Sequence, residues 1–268
     1  MNTLKNKLPI AFFDSGVGGL TVFKKFKEIL PLENTVYYGD TKNLPYGTKT
    51  KEELIKYTRN VFNFFQGIGV KAVVMACNTT SAVTYDVVKD EFPFEIYPII
   101  QSVGKILAEE HLDRLGVFAT QVTVNSQAYK RIIETYSPKT EVKQIGCSGW
   151  VELVENRSEQ DKTALLKKYL CPMLEFNPEK IVLGCTHYPY LQDELKKLLP
   201  KESEGIEFID PSKNFVEFIK TDLEKKGLLN KENKEVTEEF YVSSDEQGFK
   251  TSAKMFYEIK EDCNLFVI

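Results

Sequence analysis

The sequence predicts an α/β protein made of two similar doubly wound α/β lobes. Short apolar, β-rich runs alternate with longer segments whose apolar residues recur at helical spacing, as expected for parallel strands buried on both faces. One pattern also occurs twice. Lys71-Ala-Val-Val-Met-Ala-Cys77-Asn-Thr and Lys180-Ile-Val-Leu-Gly-Cys185-Thr-His are both apolar strands that end in a small residue, a cysteine and hydrogen-bonding side chains. A weaker echo links Ile10-Ala-Phe-Phe-Asp14-Ser15 with Gly116-Val-Phe-Ala-Thr120, again strands delivering polar groups at their carboxyl ends.

In chain order, strands are expected at Ile10 to Phe13, Thr35 to Tyr38, Ala72 to Met75, Ile96 to Ile100, Gly116 to Ala119, Val142 to Ile145, Ile181 to Leu183, Glu207 to Ile209 and Phe240 to Ser243. One helix carries Leu54, Tyr57, Val61, Phe65 and Ile68 on one stripe, with Thr50 and Glu53 spaced as a capping box and Gly67 and Gly69 as a stop. Leu20 to Leu30, Gln127 to Tyr136, Thr163 to Leu174, Leu191 to Leu199 and Phe215 to Lys225 also read as helices. The stretch from Glu224 to Glu239, rich in lysine and glutamate, reads as a solvated helix end and loop.

Composition narrows the function classes. With 268 residues, 42% hydrophobic and 28% charged, the chain has the make-up of an ordinary globular protein with a well-buried core. A formal charge of −4 provides no basic surface for nucleic acid, so a small-molecule partner is expected. No window of about 18 apolar residues predicts a membrane span. The start, Met1 to Pro9, is polar and has neither a signal core nor a cleavage site, which predicts a cytoplasmic protein. The cysteines number 5 and stand far apart, with no C-x-x-C pair, and there are only 2 histidines, so neither a disulfide framework nor a metal site is expected.

Ligands of open α/β sheets bind beyond the carboxyl ends of the strands, which is where Cys77 and Cys185 are expected. A thiol there meets backbone N–H groups and the positive end of a following helix, and both favour thiolate over a free pKa of about 8.5. A buried cysteine can equally be a small hydrophobe. The matched contexts single out these two, with Cys147 as the best rival and Cys171 and Cys263 assigned to packing.

The loop Asp14-Ser15-Gly16-Val17-Gly18-Gly19 has neither G-x-G-x-x-G nor a P-loop lysine, so its glycines suit a tight turn close to a small ligand better than a nucleotide site. Asp14 is expected as a helix N-cap, as a partner for a substrate ammonium, or as both. Asp40 through Pro45, Tyr46 and Gly47 reads as a polar turn. Asn78, Thr79 and Thr186 read as caps or as carboxylate donors at helix starts. His187 is either a satisfied core histidine or a group that tunes proton transfer beside Cys185.

These segments resemble glutamate racemases, members of the aspartate/glutamate racemase family. The resemblance rests on Phe-Asp-Ser-Gly-Val-Gly-Gly-Leu-Thr-Val, Tyr-Gly-Asp through Leu-Pro-Tyr-Gly-Thr, Ala-Cys-Asn-Thr and Gly-Cys-Thr-His-Tyr-Pro. Supporting matches are Gly116 to Thr123 with Ser126 and Tyr129, and the late Phe-Tyr-Val-Ser-Ser-Asp segment, so the likeness spans nearly the whole chain.

The resemblance implies a cofactor-independent racemase in which Cys77 and Cys185 flank the substrate Cα and exchange the roles of base and acid with direction. It implies that Asp14 and His187 assist the thiols and that Ser15, Tyr46, Gly47, Asn78, Thr79 and Thr186 touch substrate. Asp40, Pro45, Thr120 and Thr123 would line the same pocket, in a cleft between the lobes. Glu155 matches a family glutamate in a stretch that usually reads Val-Pro-Leu-Val-Glu and here reads Val151-Glu152-Leu153-Val154-Glu155. The resemblance further implies lobes of residues 1–98 plus 211–268 and 99–210, a homodimer, and supply of D-glutamate for peptidoglycan.

Three other readings compete. A sister two-cysteine racemase or isomerase would act on aspartate, hydantoin or maleate. A cysteine hydrolase using Cys185 and His187 would leave the Cys77 motif without a purpose. An inactive binding or regulatory protein would not exchange the α-proton with deuterated water.

Overall fold

The structure, a computed structural model, describes residues 5–232 and 235–268. The first four residues of the polar start, and residues 233 and 234 of the lysine- and glutamate-rich stretch, lie outside the described residues. The chain divides into two compact units, one of Met1–Ile99 with Ser212–Ile268 and one of Ile100–Pro211.

The first unit is built on a 6-stranded parallel sheet. Its chain order is β1 (Ile10–Asp14), α1 (Leu20–Ile29), β2 (Thr35–Gly39), α2 (Lys51–Ile68), β3 (Ala72–Met75), α3 (Asn78–Val88), β4 (Glu95–Pro98) and α4 (Ile99–Ala108), the last of which runs on into the second unit. Every residue of β1, β2 and β3 is buried, as a sheet covered on both faces requires. Phe12 of β1 sets its ring edge-on against Phe23 and Phe26 of α1, at 5.1 and 4.9 Å between centroids. The capping box at the start of α2 closes with Glu53 N donating to Thr50 Oγ1 (3.2 Å) and Thr50 N donating to Glu53 Oε2 (2.8 Å). Gly69 ends that helix at φ 82°, in the left-handed region that glycine enters without steric cost.

The second unit holds a 4-stranded parallel sheet in the order β6-β5-β7-β8. Its elements are β5 (Arg114–Ala119), α5 (Gln121–Ser126), α6 (Ala128–Tyr136), β6 (Glu141–Gly146), α7 (Trp150–Val154), α8 (Lys162–Leu174), β7 (Lys180–Gly184), α9 (Gln192–Lys197) and β8 (Glu207–Ile209). The chain returns to the first unit through α10 (Pro211–Lys225), β9 (Glu238–Val242), α11 (Glu246–Ala253) and β10 (Cys263–Leu265), and the first sheet reads β10-β9-β2-β1-β3-β4. Among the described residues no helix is long and apolar enough to cross a membrane.

Several expectations need correction. Ile99 and Ile100 belong to α4, not to the fourth strand, because Pro98 has no N–H with which to continue a ladder. The helix expected over Leu191 to Leu199 is a 3-10 turn at Tyr188–Leu191 followed by α9. Cys171 is exposed on α8 and so does not pack in the core, while Cys263 lies half-buried in the edge strand β10. That strand, α5, α7 and α11 are too short to show a period in sequence.

A buried ion pair ties down the amino ends of the first unit's strands. Lys71 Nζ donates to Glu33 Oε2 (2.5 Å) and to the carbonyls of Asn6 (2.6 Å) and Leu228 (2.9 Å), and Asn230 N donates to Glu33 Oε1 (2.8 Å). Burial pushes the Lys71 amine down and the Glu33 carboxyl up, which marks the cost of holding both charges out of water. Replacing Glu33 with Gln leaves the ammonium buried without its counter-ion, so Glu33→Gln should lower unfolding free energy by about 3 kcal/mol in urea titration at neutral pH.

Candidate active site

Polar groups gather at the carboxyl end of each sheet. In the first unit the strand order β9-β2-β1-β3 sets Ser243, Asp40, Asp14 and Cys77 along one edge, each at or just past its strand's last residue. Asp14 accepts a hydrogen bond from Gly16 N at Oδ1 (2.9 Å), folding the turn back on itself, while Tyr37 OH donates to Gly16 O (2.8 Å). The N-cap of α1 is Gly19, with no side-chain cap. Asp14 is therefore not the helix cap that its position suggested. The turn is tight enough that a Cβ on Gly19 would lie 2.5 Å from Asp14 Cβ and 2.7 Å from Tyr37 OH, so only glycine fits.

Asp40 is fully buried and its carboxylate is surrounded by donors. Tyr46 OH (2.5 Å) donates to Oδ2, Ser243 Oγ (2.7 Å) to Oδ1, and Asn43 Nδ2 lies within 3.0 Å of both oxygens. This cluster pins the loop carrying Pro45, Tyr46 and Gly47, across the cis Leu44–Pro45 bond, to the turn after β9. Tyr46 is buried, Gly47 half-buried and Pro45 exposed. Burial first, then the nearby Asp40, Cys77 and Asp14, push the Tyr46 phenol far above its ordinary value, so it stays a neutral donor. Tyr37 is held neutral in the same way by burial, Asp14 and Cys77.

Cys77 occupies the N-cap position of α3, is 6% exposed, and accepts a hydrogen bond from Ser81 N at its carbonyl (3.0 Å). Asn78 and Thr79, both buried, form the first turn of that helix. Ser15, half-buried, stands at the start of the turn that follows Asp14.

In the second unit Cys185, Thr186 and His187 follow β7 directly, and all three are buried. Cys185 Sγ lies 3.9 Å from His187 Nδ1, and His187 Nε2 lies 2.7 Å from Glu155 Oε1. Glu155 Oε2 pairs in turn with the Arg157 guanidinium. Burial pulls the imidazole down, but the hydrogen bonds and charges of Cys185 and Glu155 outweigh it and raise His187 to about 10. Burial likewise works to raise Glu155, and the bond and charge of His187 together with Arg157 hold it below the usual carboxylate range. When protonated, the ring donates from Nε2 to Glu155 and carries its Nδ1–H on the side of the Cys185 sulfur. A 3-10 turn at Tyr188–Leu191 follows Cys185, where an α-helix follows Cys77.

Trp150 fixes this corner. Its ring is fully buried edge-on against Phe118, Tyr169 and Tyr188, at 4.9, 5.8 and 5.0 Å, and it anchors the short α7 that ends at Glu155. Thr120, at the tip of β5 beside β7, caps α5 by accepting from Thr123 N (3.3 Å), and the two threonine hydroxyls lie 3.0 Å apart. The rival Cys147 donates to Ile145 O (3.5 Å), and burial followed by the nearby Cys185 pushes its thiol far up, so it remains a thiol.

Among the described residues no group of three or more His, Cys, Asp or Glu could hold a metal ion. Sequence reasoning missed Arg157, Ser243, Asn43 and Tyr37. Ser243 had a usable signal, since it follows a strand at the edge that carries the other polar tips. Arg157 had none, because its approach to Glu155 depends on a turn.

A fold of two parallel-sheet lobes, each with a thiol at a strand tip, is that of an amino-acid racemase. Residues 18–219 match the family model for Asp/Glu/hydantoin racemases, and the chain belongs to that family. It is 38% identical to the glutamate racemase of Nostoc over 248 residues, 92% of this chain and 83% of that one. With the glutamate racemase of Rippkaea orientalis it shares 37% identity over 270 residues, 99% of this chain and 94% of the other. The structure superposes on Francisella tularensis glutamate racemase, solved with D-glutamate, with a TM-score of 0.89 at 31% identity, covering 97% and 98% of the two chains.

His187 supplies a titration test. Its raised pKa means that its interactions with Cys185 and Glu155 contribute stability that is complete below the ordinary value of 6.5 and is lost as pH rises through about 10. NMR titration should place the His187 midpoint near 10, and Glu155→Gln should bring it down toward 6.5.

Proposed function

We propose that this protein is a glutamate racemase that interconverts L-glutamate and D-glutamate without a cofactor. The observation that carries the reading is the matched pair of strand-tip thiols, Cys77 in one unit and Cys185 in the other, each among buried polar partners. Supporting it are relatives named glutamate racemase that align over nearly the whole chain.

In the reaction one cysteine, as thiolate, takes the α-proton. The electron pair left on Cα delocalises into the substrate carboxylate, and the other cysteine, as thiol, delivers a proton to the opposite face. The roles exchange in the reverse direction. Negative charge grows on the substrate carboxylate during this step, so fixed donors that are already in place lower the barrier. Asn78, Thr79 and the first N–H groups of α3 are donors of that kind beside Cys77, and Thr186 beside Cys185. Asp14 and the neutral phenol of Tyr46 complete the Cys77 side, and Asp40 acts at one remove by holding Tyr46. On the other side His187, ionised against Glu155, compensates the charge that appears on Cys185. Ser15, Gly47, Pro45, Thr120 and Thr123 shape the glutamate pocket. A cytoplasmic homodimer that supplies D-glutamate for peptidoglycan is the setting this activity fits.

Circular dichroism of L-glutamate and of D-glutamate, with no cofactor added, should fall to zero with the wild type from either side. Cys77→Ala and Cys185→Ala should each slow that decay by about a thousandfold or more, the scale of a lost proton-transfer group. In deuterated water the wild type should place deuterium at Cα. Activity on aspartate with none on glutamate would overturn the substrate assignment.

A further inference from the structure

Arg157 lies outside every motif that drew attention in the sequence, yet it closes the line of groups that ends at Cys185. Its approach follows from how α7 ends. Asn156 takes the left-handed conformation (φ 55°) just past Glu155, Asn156 N donates to Leu153 O (3.3 Å), and Arg157 N donates to Glu152 O (2.8 Å). These two bonds form a Schellman closure, with Asn156 in the place usually held by glycine. The turn reverses the chain so that Arg157, two residues past Glu155, lays its guanidinium on the carboxylate oxygen that His187 does not use.

We infer that Arg157 is a positioning residue for the Cys185 half of the reaction: by occupying Glu155 Oε2 it holds Oε1 on His187 Nε2, and so keeps the imidazolium aimed at the Cys185 sulfur. The inference rests on the glutamate racemase reading above, since it concerns how that site is held. A carboxylate with one oxygen bound can rotate about its last side-chain bond, whereas one bound at both oxygens by two separate cations cannot. Glu155 sits at the C-terminus of a five-residue helix, where the exposed carbonyls repel a carboxylate and favour cations. Arg157 offsets that repulsion.

His187 and Cys185 face the Glu155–Arg157 pair from the end of β7, and Glu152 lies one turn back on α7 near Tyr188. On α8, Tyr169 OH donates to Ser148 O (3.0 Å) and Lys162 is taken up by Glu194 (2.6 Å). Arg157 is thus the cation shown paired with Glu155 apart from His187 itself. Because Arg157 is largely exposed, its effect is modest and salt-screened.

The test is the pH profile of kcat/KM for glutamate with wild type, Arg157→Ala, Arg157→Lys, Glu155→Gln and the Arg157→Ala/Glu155→Gln double variant. Without the guanidinium, Glu155 takes up a proton at higher pH, so the acid limb for Arg157→Ala should move to higher pH. Activity on the plateau should fall by about threefold to fivefold, the scale of an exposed ion pair. Arg157→Lys should restore most of the limb, and in the Glu155→Gln background Arg157→Ala should have no further effect. Equal limbs in wild type and Arg157→Ala, or equal losses from Arg157→Ala with and without Glu155, would overturn the inference while leaving the two-thiol reading intact. A Cys185→Ala variant that still racemises glutamate would overturn both.

Discussion

A parallel sheet covered on both faces can carry polar chemistry only where its strands stop. Every residue of β1, β2 and β3 is buried, and an unpaired polar group there would cost about a kilocalorie or more. At the carboxyl ends the ladder is finished, the chain turns outward, and the next helix has not yet used its first N–H groups. Both sheets obey this constraint, and each places a polar cluster there. The first unit shows it most plainly: Ser243, Asp40, Asp14 and Cys77 follow four adjacent strands and form one row because the strands do.

That constraint makes buried charge unavoidable, and the structure handles each instance with a definite partner. Asp40 and Glu155 show two different outcomes. Asp40 receives Tyr46, Ser243 and Asn43 and is a fixed anchor, its lone pairs consumed in holding a loop. Glu155 receives cations, His187 at one oxygen and Arg157 at the other, so its effect passes outward as electrostatics. A carboxylate satisfied by neutral donors organises shape, and one satisfied by cations organises charge beside the Cys185 sulfur.

The parts legible in sequence are those in which the chain's own neighbours decide the outcome. Strands such as Ala72–Met75 and Ile181–Leu183 announce themselves because continuous burial demands continuous apolar residues, and α2 because its caps and stripe agree. Cys77 and Cys185 were legible because both end such runs. Where distant contacts decide, the sequence is silent or misleads. Ile99 and Ile100 look like strand and are helix because the proline before them ends the ladder. Asp14 looks like a cap, but its carboxylate is drawn into the Gly16 turn under Tyr37. Trp150 marks a packed corner only once Phe118, Tyr169 and Tyr188 close around it from three other elements.

The two thiols are alike in motif and unlike in surroundings. Cys77 stands at the N-cap of an 11-residue helix, where the partial positive charge comes from backbone N–H groups that cannot titrate. Cys185 has only a 3-10 turn after it and meets instead the imidazolium of His187, a positive charge that depends on Glu155 and is lost at high pH. A helix end is always present and always the same sign, while an ion pair can be tuned by the residues behind it. The two strand-tip thiols thus meet two different sources of positive charge, one built into the backbone and one assembled from side chains. The side-chain source is the one open to adjustment by substitution, and its outermost member, Arg157, lies on an exposed turn.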